Sequence, residues 1–260
     1  MTTLVIDDPA PFVRRFTLAR PERMNALDGA TLRALNNAVR DCVAAGDAVK
    51  VMIIRGTGRA FCAGNDLKWL AEGVLHDRAA HMRHQDLMGD TFARMEAAPQ
   101  VVIGSINGFA VAGGFELALA CDLLIADEEA QIGDEHMRRN LMPSGGSSQR
   151  LPRRIGLHQA MYYLLTGRRM TGREAVACGL AVDAVPGDQL DAATLALAEE
   201  LAQADAMALA TMKALARRSV ELPLQDGLQY ERWMQFRYRT QSPSMEAGVH
   251  AFADKTETRR

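Results

Sequence analysis

Cysteine is scarce and dispersed: Cys42, Cys62, Cys121 and Cys178 include no C-x-x-C pair. That excludes a disulfide-stapled secreted module and a cysteine zinc site, leaving packing thiols in a reducing, cytoplasmic setting as the expectation. An excess of one charge is also missing, since 30 basic side chains face 32 acidic ones for a net charge of -2. No general pull toward nucleic acid or an anionic membrane follows, so any anionic ligand has to meet local positive charge. No uncharged apolar run approaches the ~18 residues of a membrane-spanning helix, and "MTTLVIDDPAPFVRRF" lacks the pattern of a secretory leader. A soluble, non-exported protein with no internal repeat or low-complexity linker is expected.

What is present suits one large globular domain, or a domain with a small appendage: 260 residues, 48% hydrophobic and 24% charged. Val13 to Leu18 and "VKVMIIRG" read as strands. Between them Asp28 is placed to cap a helix whose Leu32, Leu35, Val39 and Cys42 form one apolar stripe ending at Gly46. A helical turn is expected near Leu67 to Leu70, then a polar helix from about His76 to Ala98 stopped by Pro99. "VVIGSI" and "LLIAD" are buried strands on either side of a helix opening at Gly113. The alternation predicts an α/β fold with largely parallel sheets. Beyond Asp188 the strands stop and helical periodicity takes over, which divides the chain into a core over residues 1–190 and a helical region over 191–260.

Several motifs are weaker than they look. "GTGRAF" has Phe61 where a dinucleotide fingerprint needs its third glycine. "PSGGSSQ" holds no serine in a G-x-S-x-G frame, so a turn capping the next helix is its plainer use. His81 and His84 stand at metal-pair spacing, but no third ligand matches them and a solvated helix face is expected.

"SINGFAVAGGFELALACD" departs from packing logic. Each glycine in a helix costs about 1 kcal/mol against alanine, so Gly113 and Gly114 at a helix mouth imply backbone that comes close to something. A helix N-terminus offers free N–H groups and the positive end of the dipole to an oxygen gaining charge. "FCAGNDLK" is a second loop of the same kind, and two amides converging on one carbonyl oxygen make an oxyanion hole.

With those two stretches on the page, the sequence resembles the crotonase, or enoyl-CoA hydratase/isomerase, superfamily. "RPERMNALDGATLRAL", "GTGRAFCAGNDLKWL", "INGFAVAGGFELALACDLLIA", "AQIGDEHMRRNLMPSGGSSQRLPRRIG" and "LTGRRMTGREAVACGLAVDAV" carry the resemblance in order along nearly the whole chain. It implies a spiral of ββα units followed by a C-terminal helical trimerisation region, giving a homotrimer or a dimer of trimers.

The resemblance also implies that the amides of Asn65 and Gly113 polarise an acyl-CoA thioester, with Glu116 one turn deeper as a catalytic carboxylate. A gapless match puts His136 where hydratases of the family carry a second glutamate, with Asp134 and Glu135 just before it; His136 ranks ahead of Glu135 as the partner acid or base. Arg23, Ala26, Leu27, Ala63, Asp66, Leu67, Lys68 and Lys255 fall where relatives contact substrate or CoA. No metal and no cofactor is implied beyond the CoA carried by the substrate, and neither nucleic acid nor a membrane is an expected partner.

The favoured activity is an enoyl-CoA hydratase-like lyase. Double-bond isomerisation, and thioester hydrolysis or decarboxylation on the same enolate-stabilising frame, are the enzymatic alternatives. A non-catalytic RNA-binding or scaffold member, drawing on "MRRN" or "LPRRIG", is the alternative outside catalysis.

Overall fold

The computed structural model describes residues 2–257, with side chains through residue 253. A hairpin of β1 (Leu4–Ala10) and β2 (Val13–Leu18) leads into α1 (Gly29–Ala45), whose N-cap Asp28 accepts the Thr31 N–H at 2.8 Å. Then come β3 (Val51–Gly56), β4 (Ala60–Cys62), the single turn α2 (Leu67–Trp69) and the long α3 (Arg78–Ala97). β5 (Val101–Ile106), β6 (Phe109–Val111), α4 (Gly113–Ala120), β7 (Leu123–Asp127) and β8 (Gln131–Gly133) follow. The chain continues through α5 (Ser147–Ile155), α6 (Leu157–Thr166), α7 (Gly172–Ala177) and β9 (Asp183–Val185) to α8 (Leu190–Ala202), α9 (Ala206–Arg218), α10 (Leu224–Gln241) and α11 (Ser244–Glu257).

Six strands form the larger sheet in the order β1-β2-β3-β5-β7-β9, parallel except for the β1-β2 hairpin. Because strand side chains alternate, register decides which core each joins. Val51 pairs with Val101, and Met52 with Val102. Val51, Ile53, Val101 and Ile103 therefore face one side, where Ala198 and Ala202 of α8 cover them. Met52, Ile54, Val102 and Ile106 face the other, packed with Leu32, Leu35 and Val39 of α1 and with Met88, Phe92 and Met95 of α3. Full burial of each large side chain contributes roughly 1.5–3 kcal/mol. α8, although it lies beyond residue 190, is thus a layer of the main body.

The smaller sheet positions the site. β4, β6 and β8 are each three residues long and pair in parallel in that order. Strands so short show no periodicity in the sequence, and none was expected. Being parallel and adjacent, they release the chain side by side at their C-terminal ends: Ala63 to Asp66 after β4, Ala112 to Glu116 after β6, Asp134 to His136 after β8.

Candidate active site

Gly64 and Gly113 bring the first two of these segments into contact. A β-carbon on Gly64 would lie 2.7 Å from the Gly113 nitrogen, and one on Gly113 would lie 3.3 Å from the Asn65 nitrogen. Gly64 also has φ +89°, which an L side chain adopts only under strain. Both amides donate to no acceptor among the described residues, since Gly113 opens α4 and the bridge between Leu27 and Asn65 uses the N–H groups of Leu27 and Asp66 instead. Ala112, between β6 and α4, has φ +51° and ψ -124° without being glycine. Its methyl would lie 3.1 Å from a Gly64 β-carbon.

α4 is buried along its whole length, including Glu116 at 1% exposure. A carboxylate there requires hydrogen bonds. It accepts the N–H groups of Gly145 at 2.7 Å and Ser147 at 3.2 Å, both from the turn that opens α5. Burial raises the Glu116 pKa, against the Ser147 N–H, the charge on His136 and the Gly145 N–H. The turn "PSGGSSQ" therefore does more than cap a helix.

His136 begins a 3-10 turn after β8 and is buried, as are Asp134 and Glu135. Its Nδ1 lies 3.0 Å from Asp134 Oδ2. The ring N–H points off that line, so the contact combines a bent hydrogen bond with the attraction of the Asp134 charge. Asp134 also accepts the His136 backbone N–H at 3.2 Å and the Ser147 hydroxyl. Burial works against a charged imidazole, but Asp134 and then Glu116 outweigh it, and the His136 pKa is raised. Glu135 is occupied elsewhere: its carboxylate binds Arg169 at 2.7 Å and Arg138 at 3.0 Å.

Beside the Asn65 amide opens a cleft of about 500 Å³. Arg23, Ala26, Ala63, Asp66, Leu67 and Lys68 line it, and so does Arg59, which the sequence did not single out. Arg23, Arg59 and Lys68 outnumber the lining carboxylates Glu22 and Asp66, a balance that suits an anionic group. Asp66 caps α2 and pairs with Arg20 at 2.9 Å. Leu27 is fully buried and does not line the cleft; its N–H holds the Gly64 carbonyl at 2.7 Å, fixing the Asn65 loop from beneath. The side chain of Lys255 lies outside the described residues. Two further clefts flank α9 and share none of these residues.

The solvated face expected for His81 and His84 is corrected at His84. It is 4% exposed, packs on Trp69 with ring centroids 4.9 Å apart, and through Nε2 holds the Asn65 side-chain oxygen at 2.9 Å. Burial, then His81, lowers its pKa, which disfavours the charged ring. The signal was available: His84, Met88, Thr91, Phe92 and Met95 recur every three or four residues, and all are buried. No cluster of potential metal ligands occurs among the described residues.

A buried carboxylate electrostatically linked to a buried imidazole whose protonated form is favoured, beside two free amides, is an arrangement suited to acid–base chemistry. The enoyl-CoA hydratase/isomerase family matches residues 12–259. The 2,3-dehydroadipyl-CoA hydratase of Escherichia coli (strain K12) is 35% identical over 239 residues, covering 92% of this chain and 91% of that protein. An enoyl-CoA hydratase from Bacillus anthracis superposes with a TM-score of 0.92 at 32% identity, over 98% of this chain and 97% of that one. One from Mycobacterium smegmatis gives 0.90 at 27% identity, over 98% and 97%. The chain belongs to the enoyl-CoA hydratase/isomerase family, and it is an enzyme with an enoyl-CoA hydratase-like function. No helix among the described residues is long and apolar enough to cross a membrane.

Proposed function

We propose that this enzyme adds water across the double bond of a 2-enoyl-CoA thioester, with the Asn65 and Gly113 amides as the oxyanion hole. The carrying observation is that Glu116 and His136 are both buried and act electrostatically on one another, beside those unpartnered amides. The thioester oxygen accepts from the two amides as the enolate forms. Glu116 removes a proton from water, the water oxygen bonds to Cβ, and the electrons of the double bond move toward the thioester. The His136 imidazolium then delivers its proton to Cα, which closes the C–H bond and discharges the enolate. Before the next turnover Glu116 releases the proton it took and His136 regains the one it gave, both through solvent.

CoA is assigned to the cleft of Arg23, Arg59 and Lys68, whose cations suit its phosphates. The exposed Met212, Val220, Trp233 and Phe236 of the C-terminal helices and the turn between them support a homotrimeric assembly, for which light scattering on the purified protein is the check.

Purified enzyme given crotonyl-CoA should form a 3-hydroxy thioester. A 3-enoyl thioester interconverted with its 2-enoyl isomer and no hydroxylated product would replace hydration by double-bond migration. Free CoA or carbon dioxide would replace it by hydrolysis or decarboxylation.

A further inference from the structure

Ser147 touches Glu116 and the carboxylate that stands beside His136. Its backbone N–H donates to Glu116 Oε1 at 3.2 Å while its hydroxyl donates to Asp134 Oδ2. Asp134 in turn reaches residue 136 twice, at the backbone N–H through Oδ1 and at Nδ1 through Oδ2. Asp134, Glu116 and Ser147 are 2%, 1% and 0% exposed, so three segments are clamped together away from water.

We propose that Asp134 is a positioning residue: it holds the His136 ring from the main chain and from the side chain, while Ser147 sets the spacing between Asp134 and Glu116. This rests on the hydration roles given above. A buried imidazolium without a counter-charge would shed its proton. Asp134 lies beside Nδ1, which leaves Nε2 as the nitrogen that gives a proton to Cα: the N–H bond breaks, the C–H bond forms with the enolate pair, and the neutral ring stays against Asp134. Every charge near the ring fits this assignment. Glu116 on α4 adds a second negative charge, and the Glu135 carboxylate is taken up by Arg138 and Arg169. α6 packs on the same turn and carries His158, Tyr162 and Tyr163, yet the charges acting on the ring are those of Asp134 and Glu116.

The test is an NMR titration of the His136 imidazole in wild type and Asp134→Asn, paired with pH profiles of kcat/KM on crotonyl-CoA. In Asp134→Asn the imidazole pKa and the alkaline limb of the profile should fall together by about one unit or more, a tenfold change in proton affinity. kcat should drop on the order of tenfold or more, with KM nearly unchanged. Lost activity with an unmoved imidazole overturns the proposal and leaves Glu116 and His136 in their roles; wild-type turnover in His136→Gln overturns the hydration reading itself. Should Asp134→Asn fail to fold, the wild-type titration decides. An imidazole titrating above the ordinary histidine value supports the proposal, and one at or below it overturns the proposal.

Discussion

Gly64 runs so close to Gly113 that a single added methyl would press on the Gly113 nitrogen, 2.7 Å away. Two loops from neighbouring parallel strands meet there, and their free amides meet with them. Gly64→Ala should therefore separate the amides as well as strain a backbone at φ +89°. Losing one well-placed donor costs about 3 kcal/mol of barrier, so kcat on crotonyl-CoA should fall on the order of a hundredfold. Circular dichroism of the variant checks that the fold survives.

Glu116→Gln should keep the fold and CoA binding, because an amide oxygen still accepts the N–H groups of Gly145 and Ser147. It removes the base, so kcat should fall by about 10²–10⁴ while CoA affinity by calorimetry stays put. A variant hydrating at the wild-type rate would take Glu116 out of the reaction.

The pH profile should be a bell displaced upward at both ends. Burial raises the Glu116 carboxyl above its ordinary 4.5, so the base is lost at a higher pH than for an exposed glutamate as the solution is acidified. Asp134 and Glu116 raise His136 above its ordinary 6.5, so the acid persists past that value as pH rises. Initial rates from acid to alkaline pH read both limbs, whose midpoints belong to the pair.

Lys213→Met should destabilise without touching the chemistry. The buried Lys213 Nζ meets Asp122 at 2.8 Å, the Gln100 carbonyl at 2.8 Å and the Met95 carbonyl at 3.0 Å, pinning α9 to the end of α3 and the start of β5. Its loss removes the cation from two carbonyls and leaves Asp122 with Arg217 and the Val102 N–H. A cost of about 3 kcal/mol is expected in urea unfolding.

How much of this the sequence carried depended on element length. Four strands of the large sheet, β2, β3, β5 and β7, and α1 announced themselves by apolar runs or a stripe with a cap, and α4 by a carboxylate and two glycines in an otherwise apolar helix, whereas the edge strands β1 and the three-residue β9 carried no such pattern. Glu116 and His136 were legible from that chemistry and from a gapless family match. The three-residue strands β4, β6 and β8 were not, because pairing between distant segments makes them and no local pattern does. Without that sheet, nothing in the sequence puts Ser147 between Asp134 and Glu116. Arg59 and His84 were hidden differently: one inside a motif read for another purpose, the other on a helix judged by its polar residues instead of its buried stripe.

Ala112 occupies a corner of backbone space where glycine is most at ease, one residue ahead of the Gly113 amide proposed for the oxyanion hole. Holding an ordinary residue there costs on the order of 1–3 kcal/mol. Its methyl lies on the side where Gly64 passes, 3.1 Å from where a β-carbon on Gly64 would stand. Ala112→Gly should relieve that strain and leave the turn before Gly113 freer, so any stability gained there is set against the placement of the amide that follows.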